Sequence, residues 1–154
     1  MPPVEQLHPM ILHFPIVLII LLAAIDLFAL WRKIPLGGRD TYATFAVVIA
    51  VAAGALAFVT ASLGDMAQEI AATRGFGENL TGNHEMAGNA VSILFAIWGV
   101  ARAFAWWRRM PLNGGRAVTV VLADMVLVLL VLVAAYLGGQ LVYEHGVNVM
   151  GGIQ

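Results

Sequence analysis

Four uninterrupted apolar runs, each about as long as a membrane is thick, constrain this chain more than anything else in it. They extend from about Pro9 to Trp31, Tyr42 to Leu63, Ala87 to Trp107 and Ala117 to Tyr143. A helix needs about 20 residues to cross roughly 30 Å of hydrocarbon. The runs lack period-two alternation and are too long for barrel strands, so they read as helices whose backbone groups are bonded internally. They are apolar on every face, which argues against a soluble bundle. Composition agrees: 61% of residues are hydrophobic and 11% charged, against about 25% charged in a soluble domain. The expected fold is an all-α membrane protein, a single four-transmembrane-helix bundle over residues 1–154.

The loops give an orientation. Two connections are short and basic: Arg32 to Arg39 and Arg108 to Arg116. Together with Arg102 they hold every basic residue except Arg74. The positive-inside rule puts them in the cytoplasm, with Trp31, Trp106 and Trp107 as interfacial anchors. Both termini and the longer Gly64–Met86 connection then face the periplasm of a bacterial inner membrane. A short interfacial helix is expected over Asp65–Thr73, ended by Gly75 and Gly77. The outer face is acidic, with Glu5, Asp65, Glu69, Glu78, Glu85 and Glu144 against Arg74. Met1-Pro2-Pro3-Val4-Glu5 has no basic n-region and no cleavage site follows, so the first run is expected to stay in the mature protein.

The chain also repeats. Trp31-Arg32-Lys33-Ile34-Pro35-Leu36 matches Trp107-Arg108-Arg109-Met110-Pro111-Leu112, and the same register sets His8-Pro9-Met10 on His84-Glu85-Met86. After a gap, Ala61-Ser62-Leu63-Gly64 resembles Ala135-Tyr136-Leu137-Gly138. Two helical hairpins related by a pseudo-twofold axis along the membrane normal are expected.

All four histidines fall at one end of this topology. His8 and His13 begin the first span, His84 opens the third and His145 follows the fourth. The chain has no cysteine, which leaves out disulfides, iron–sulfur clusters and thiolate zinc sites. Histidines without thiolates suit heme iron, copper or zinc. The repeat pairs His8 with His84; His13 with His145 is the other geometry. Asp65, Glu85 and Glu144 lie at the same level as acceptors for the second imidazole nitrogen. Five-residue spacing leaves His8 and His13 about 140° apart on a straight helix. Pro9 suits a first helical turn, whereas Pro15 strips the Ile11 carbonyl of its donor. The plainer reading is that interfacial histidines bond water, headgroups or carbonyls.

A second polar group, Asp26, Arg102 and Asp124, lies five to eight residues from the cytoplasmic ends of the spans. It is expected to form a structural ion pair locking three helices; a proton path is the alternative. Gly54, Gly88, Gly99, Gly138 and Gly139 are expected at close helix contacts.

His8-Pro9 with His13-Phe14-Pro15-Ile16, and Leu141-Val142-Tyr143-Glu144-His145-Gly146-Val147, resemble the opening and closing signatures of the bacterial membrane proteins called domain of unknown function 2231. The resemblance covers nearly the whole chain. It implies a four-helix inner-membrane domain. Some members are joined to Rieske or cytochrome-like modules, which implies proximity to electron transfer. Glu144 stands at a variable position of the closing signature.

The leading expectation is a b-type cytochrome-like electron-transfer protein, with heme b held by histidines from the set His8, His13, His84 and His145. Its partners would be the lipid bilayer, a redox partner or quinone, and a larger membrane complex or a second copy of the chain, with no nucleic acid. The alternatives are a non-heme copper, zinc or iron site on the same residues, and a small structural or assembly subunit with incidental histidines. An electron carrier or subunit fits better than a stand-alone enzyme, since no nucleophile-with-base spacing or phosphate loop occurs. Four short spans leave little room for alternating access.

Overall fold

In a computed structural model, which describes residues 4–147 and 149, the chain is all helical. The helices are α1 (Val4–Ile11), α2 (His13–Trp31), α3 (Thr41–Thr73), α4 (Glu78–Trp107) and α5 (Gly115–Tyr143). There are four helical stretches long and apolar enough to cross a membrane, the first running through α1 and α2 from Gln6 to Trp31. The termini themselves, and the side chain of Glu5, lie outside what is described.

Helices α2 to α5 pack in a closed ring, each against the next, and α5 returns to α2. The diagonal partners α2 and α4 therefore face each other across the bundle axis. The core is narrow and built from small residues. Ala46, Ala50, Ala53 and Ala57 of α3 are buried with Ile19, Leu22, Phe95, Leu127 and Val131. The closest contact is between α3 and α4. A Cβ on Gly54 would stand 2.9 Å from the Phe95 carbonyl oxygen, and one on Gly99 would stand 2.9 Å from that of Ala50. Glycine at these two positions lets the backbones touch. Gly88 and Gly139 face open space instead.

Two features differ from the sequence reading. The Gly64–Met86 connection is almost entirely helical. Helix α3 runs through Gly64 to Thr73, α4 starts at Glu78, and only residues 74–77 turn. At about 1.5 Å per residue, the 33 residues of α3 exceed a hydrocarbon core of about 30 Å, so the hairpin projects past the apolar layer. Gly64 does not end the helix because a side chain from α1 occupies the space a Cβ would need. The first span, in turn, begins earlier than Pro9 and is broken. Pro9 lies inside α1, and Leu12 separates α1 from α2. Pro15 explains the break, since it cannot donate to the Ile11 carbonyl and its ring crowds that oxygen. Helix α1 leans onto α3 rather than continuing straight.

The basic loops close in matching ways. Lys33 and Arg109 both take positive φ, 58° and 51°. Ile34 N–H donates to the Ala29 carbonyl at 2.8 Å, and Met110 N–H donates to the Ala105 carbonyl at 2.9 Å. These are helix C-terminal turns in which an orphan carbonyl is bonded from beyond the helix end. The loops also hold each other: Leu36 N–H donates to the Leu112 carbonyl at 3.0 Å, and Arg39 donates to the Trp107 carbonyl at 3.0 Å. Leu36 is buried beneath this contact with Ala29, Ala117 and Val121.

Candidate functional site

A cleft lies between the helices at the end of the bundle opposite the basic loops. Its volume is about 660 Å³, and all five helices contribute to its lining. Most of the wall is apolar, reaching down to Ile16, Phe95 and Val131. The polar side chains at its rim and wall include His8, His13, His84, Gln68, Thr81 and Ser92.

His8 and His84 face each other, with ring centroids 6.2 Å apart and planes at 80°. Each is seated the same way. His8 Nδ1 is 2.9 Å from the Thr60 carbonyl oxygen, and His84 Nδ1 is 3.1 Å from that of Ala134. A carbonyl can only accept, so each Nδ1 carries the donated proton, and in the neutral ring the lone pair is left on Nε2. Each ring also lies over a glycine. A Cβ on Gly64 would meet His8 Cε1 at 3.0 Å, and one on Gly138 would meet His84 Cε1 at 2.8 Å. In both cases the glycine is four residues past the accepting carbonyl, one helical turn further along the same face. Two half-buried imidazoles are thus fixed in orientation and tautomer by backbone, with no charged partner.

The other predicted residues are placed as follows. His13 is exposed at the start of α2 and lines the cleft, five residues on from His8. His145 is exposed in the turn after α5 and does not line the cleft. The four histidines therefore do not form one set: His8 and His84 pair, His13 lies at the rim, and His145 lies outside. The expected acceptors change as well. Asp65 is exposed on α3, and Glu85 accepts from Gln68 Nε2 at 2.6 Å, so carbonyls orient the two rings where carboxylates were expected. Glu144 caps α5 and is exposed. Among the described residues no group of three or more His, Asp or Glu side chains converges as a metal cage would require.

Near the basic loops, Arg102 Nη1 donates to Asp26 Oδ2 and lies 3.8 Å from Asp124 Oδ2. The ion pairs join α2, α4 and α5. Tyr42 from α3 adds its hydroxyl, 2.5 Å from the Ile25 carbonyl and 3.3 Å from Asp26 Oδ1. Trp98 Nε1 donates to Asp124 Oδ1 at 2.8 Å.

Sequence reasoning missed the seats of the histidines: Thr60 and Gly64, Ala134 and Gly138. The signal was present in the matched Ala61-Ser62-Leu63-Gly64 and Ala135-Tyr136-Leu137-Gly138 segments. It also missed Thr81, whose buried hydroxyl lines the cleft without a hydrogen-bond partner.

The family model described as "Predicted membrane protein (DUF2231)" matches residues 5–151. The chain belongs to that family. No curated protein and no solved structure matches it. DUF2231 membership and the four apolar spans together make this a membrane protein.

Proposed function

We propose that this DUF2231 protein is a b-type cytochrome of the bacterial inner membrane, in which His8 and His84 would hold one heme. The observation that carries the reading is the paired seating of these two rings, each donating Nδ1–H to a carbonyl 2.9 or 3.1 Å away and leaving Nε2 as a ligand. Outer hydrogen bonds of this kind orient metal-binding imidazoles.

The spacing fits. His8 on α1 and His84 on α4 bring their rings close enough that both could hold one group bound in the cleft. The measured separation is 6.2 Å. A cleft of about 660 Å³ lies within the roughly 300–1,000 Å³ of small-molecule sites. Heme asks the protein for two ligands, whereas a bare zinc or copper ion commonly takes three or four from side chains. When bound, heme would supply one-electron transfer. The chain's part is to hold the rings in place and line the site with apolar side chains that exclude water. With the basic loops in the cytoplasm, the cleft opens at the periplasmic face, where a periplasmic acceptor or a quinone in the outer leaflet would exchange electrons with it.

The test is an absorbance spectrum of the purified protein, oxidised and then reduced with dithionite. A Soret band and a sharpened α band are expected in the wild type and in His145→Ala, and both should be lost in His8→Ala and His84→Ala. A wild-type protein purified from heme-replete cells with no Soret band overturns the proposal. So does a spectrum that depends on His145 and not on His8.

A further inference from the structure

The Asp26–Arg102–Asp124 cluster is independent of the cleft and sits at the other end of the bundle. Its charges do not balance. Two carboxylates, both fully buried, share one guanidinium that is 2% exposed. Every titratable or charged group facing it can be named from the elements around it: Asp26 on α2, Tyr42 on α3, Arg102 on α4 and Asp124 on α5. Arg102 is the only cation among them.

The two acids are not equivalent. Asp26 receives Arg102 Nη1 directly and takes the Tyr42 hydroxyl as well. Asp124 receives the neutral indole N–H of Trp98 on Oδ1. Its Oδ2 is buried without a hydrogen-bond partner, 3.8 Å from the guanidinium nitrogen already held by Asp26. Arg102 Nη2 is also buried without a partner, and the guanidinium carbon lies 5.9 Å from the centre of the Trp98 ring. One guanidinium neutralises one carboxylate. A second anion beside it, inside a membrane span, meets both desolvation and repulsion from the first. A neutral carboxyl at the same place meets neither, and an unpaired neutral oxygen is far less costly than an unpaired charge.

We propose that the cluster is a buried one-proton site, with the proton held on Asp124 at neutral pH while Asp26 stays ionised against Arg102. The site therefore holds a single proton inside the spans, at the end near the basic loops.

The experiment is infrared spectroscopy of the full-length protein in lipid nanodiscs at neutral pH, with carboxyl-labelled aspartate to mark the four Asp residues. Asp40 caps α3 through the Ala43 N–H at 2.8 Å, and Asp40 and Asp65 are both exposed, unlike the buried Asp26 and Asp124. A protonated-carboxyl C=O band that moves with the aspartate label is expected in the wild type and should be absent in Asp124→Asn. That variant keeps an acceptor for Trp98, and its thermal midpoint should stay at the wild-type value. Asp26→Asn, which removes the direct partner of Arg102, should lower the midpoint. Absence of a label-sensitive protonated band in the wild type overturns the proposal, whatever the variants do. Persistence of that band in Asp124→Asn also overturns it.

Discussion

At the scale of single residues, the glycines under the two histidines carry as much information as the histidines. Gly138 and Gly64 have no backbone reason to be glycine, since both lie inside helices. They are glycine because a Cβ would press on an imidazole at 2.8 or 3.0 Å. That contact is with a side chain, so an added methyl group should displace the ring rather than unfold the protein. Gly138→Ala should weaken the bond from His84 to the Ala134 carbonyl and tilt Nε2. The reduced α band should then broaden or disappear, while the far-ultraviolet circular dichroism stays at the wild-type level. Gly64→Ala should do the same through His8. An unchanged spectrum in both variants would separate these rings from any cofactor. The histidines themselves were legible in the sequence, and so was the His8–His84 register. The acceptors were not, because a carbonyl is present at every residue and nothing in a sequence marks which one a ring will reach.

At the scale of helices, the seam between α3 and α4 is the tightest in the protein, and it is tight through backbone contact. A methyl group at Gly99 would stand 2.9 Å from the Ala50 carbonyl oxygen and 3.2 Å from the Val51 Cα. Neither atom can swing away. Gly99→Ala should therefore push the helices apart and cost about 1–3 kcal/mol, as overpacking generally does. A thermal midpoint measured in detergent should fall accordingly, and Gly88→Ala, which faces open space, should leave it unchanged. The spans were legible from hydropathy. The length of the α3–α4 hairpin was not: Gly64, Gly75, Gly77 and the polar residues between read as a loop. Packing against α1 and the tight turn at residues 74–77 outweighed that local signal. The break at Leu12 ran the other way. Pro15 gave notice of it, and only the fold showed that His8 and His13 on either side of it both line one cleft.

At the scale of the whole molecule, the two ends are built differently. One end is closed by paired basic loops over a buried ion-pair cluster. The other is open, with a histidine-lined cleft. The positive-inside rule assigns the closed end to the cytoplasm. Alkaline phosphatase fused in the turn at residues 74–77 should be active, and the same enzyme fused after Asn113 should be inactive. The opposite pattern would invert the orientation and move the cleft to the cytoplasmic side. Matching contacts in the two halves, from His8 and His84 down to Lys33 and Arg109, explain why one short sequence repeat was enough to pair residues 76 positions apart.

The sequence by itself determined the membrane class and the four spans, and it set out an expected orientation with all four histidines at one end. Each of these follows from local quantities: how apolar a stretch is and where its charges stop. Only the tertiary structure decided which histidines meet. His145 shares their end of the topology yet misses the cleft, because the turn after α5 carries it outward. His13 lines the cleft at its rim. The ring arrangement of α2 to α5 decided that the charges of Asp26, Arg102 and Asp124 meet without balancing. Proximity between distant segments is a property of the packed bundle, and a one-dimensional pattern holds it only where a repeat copies it.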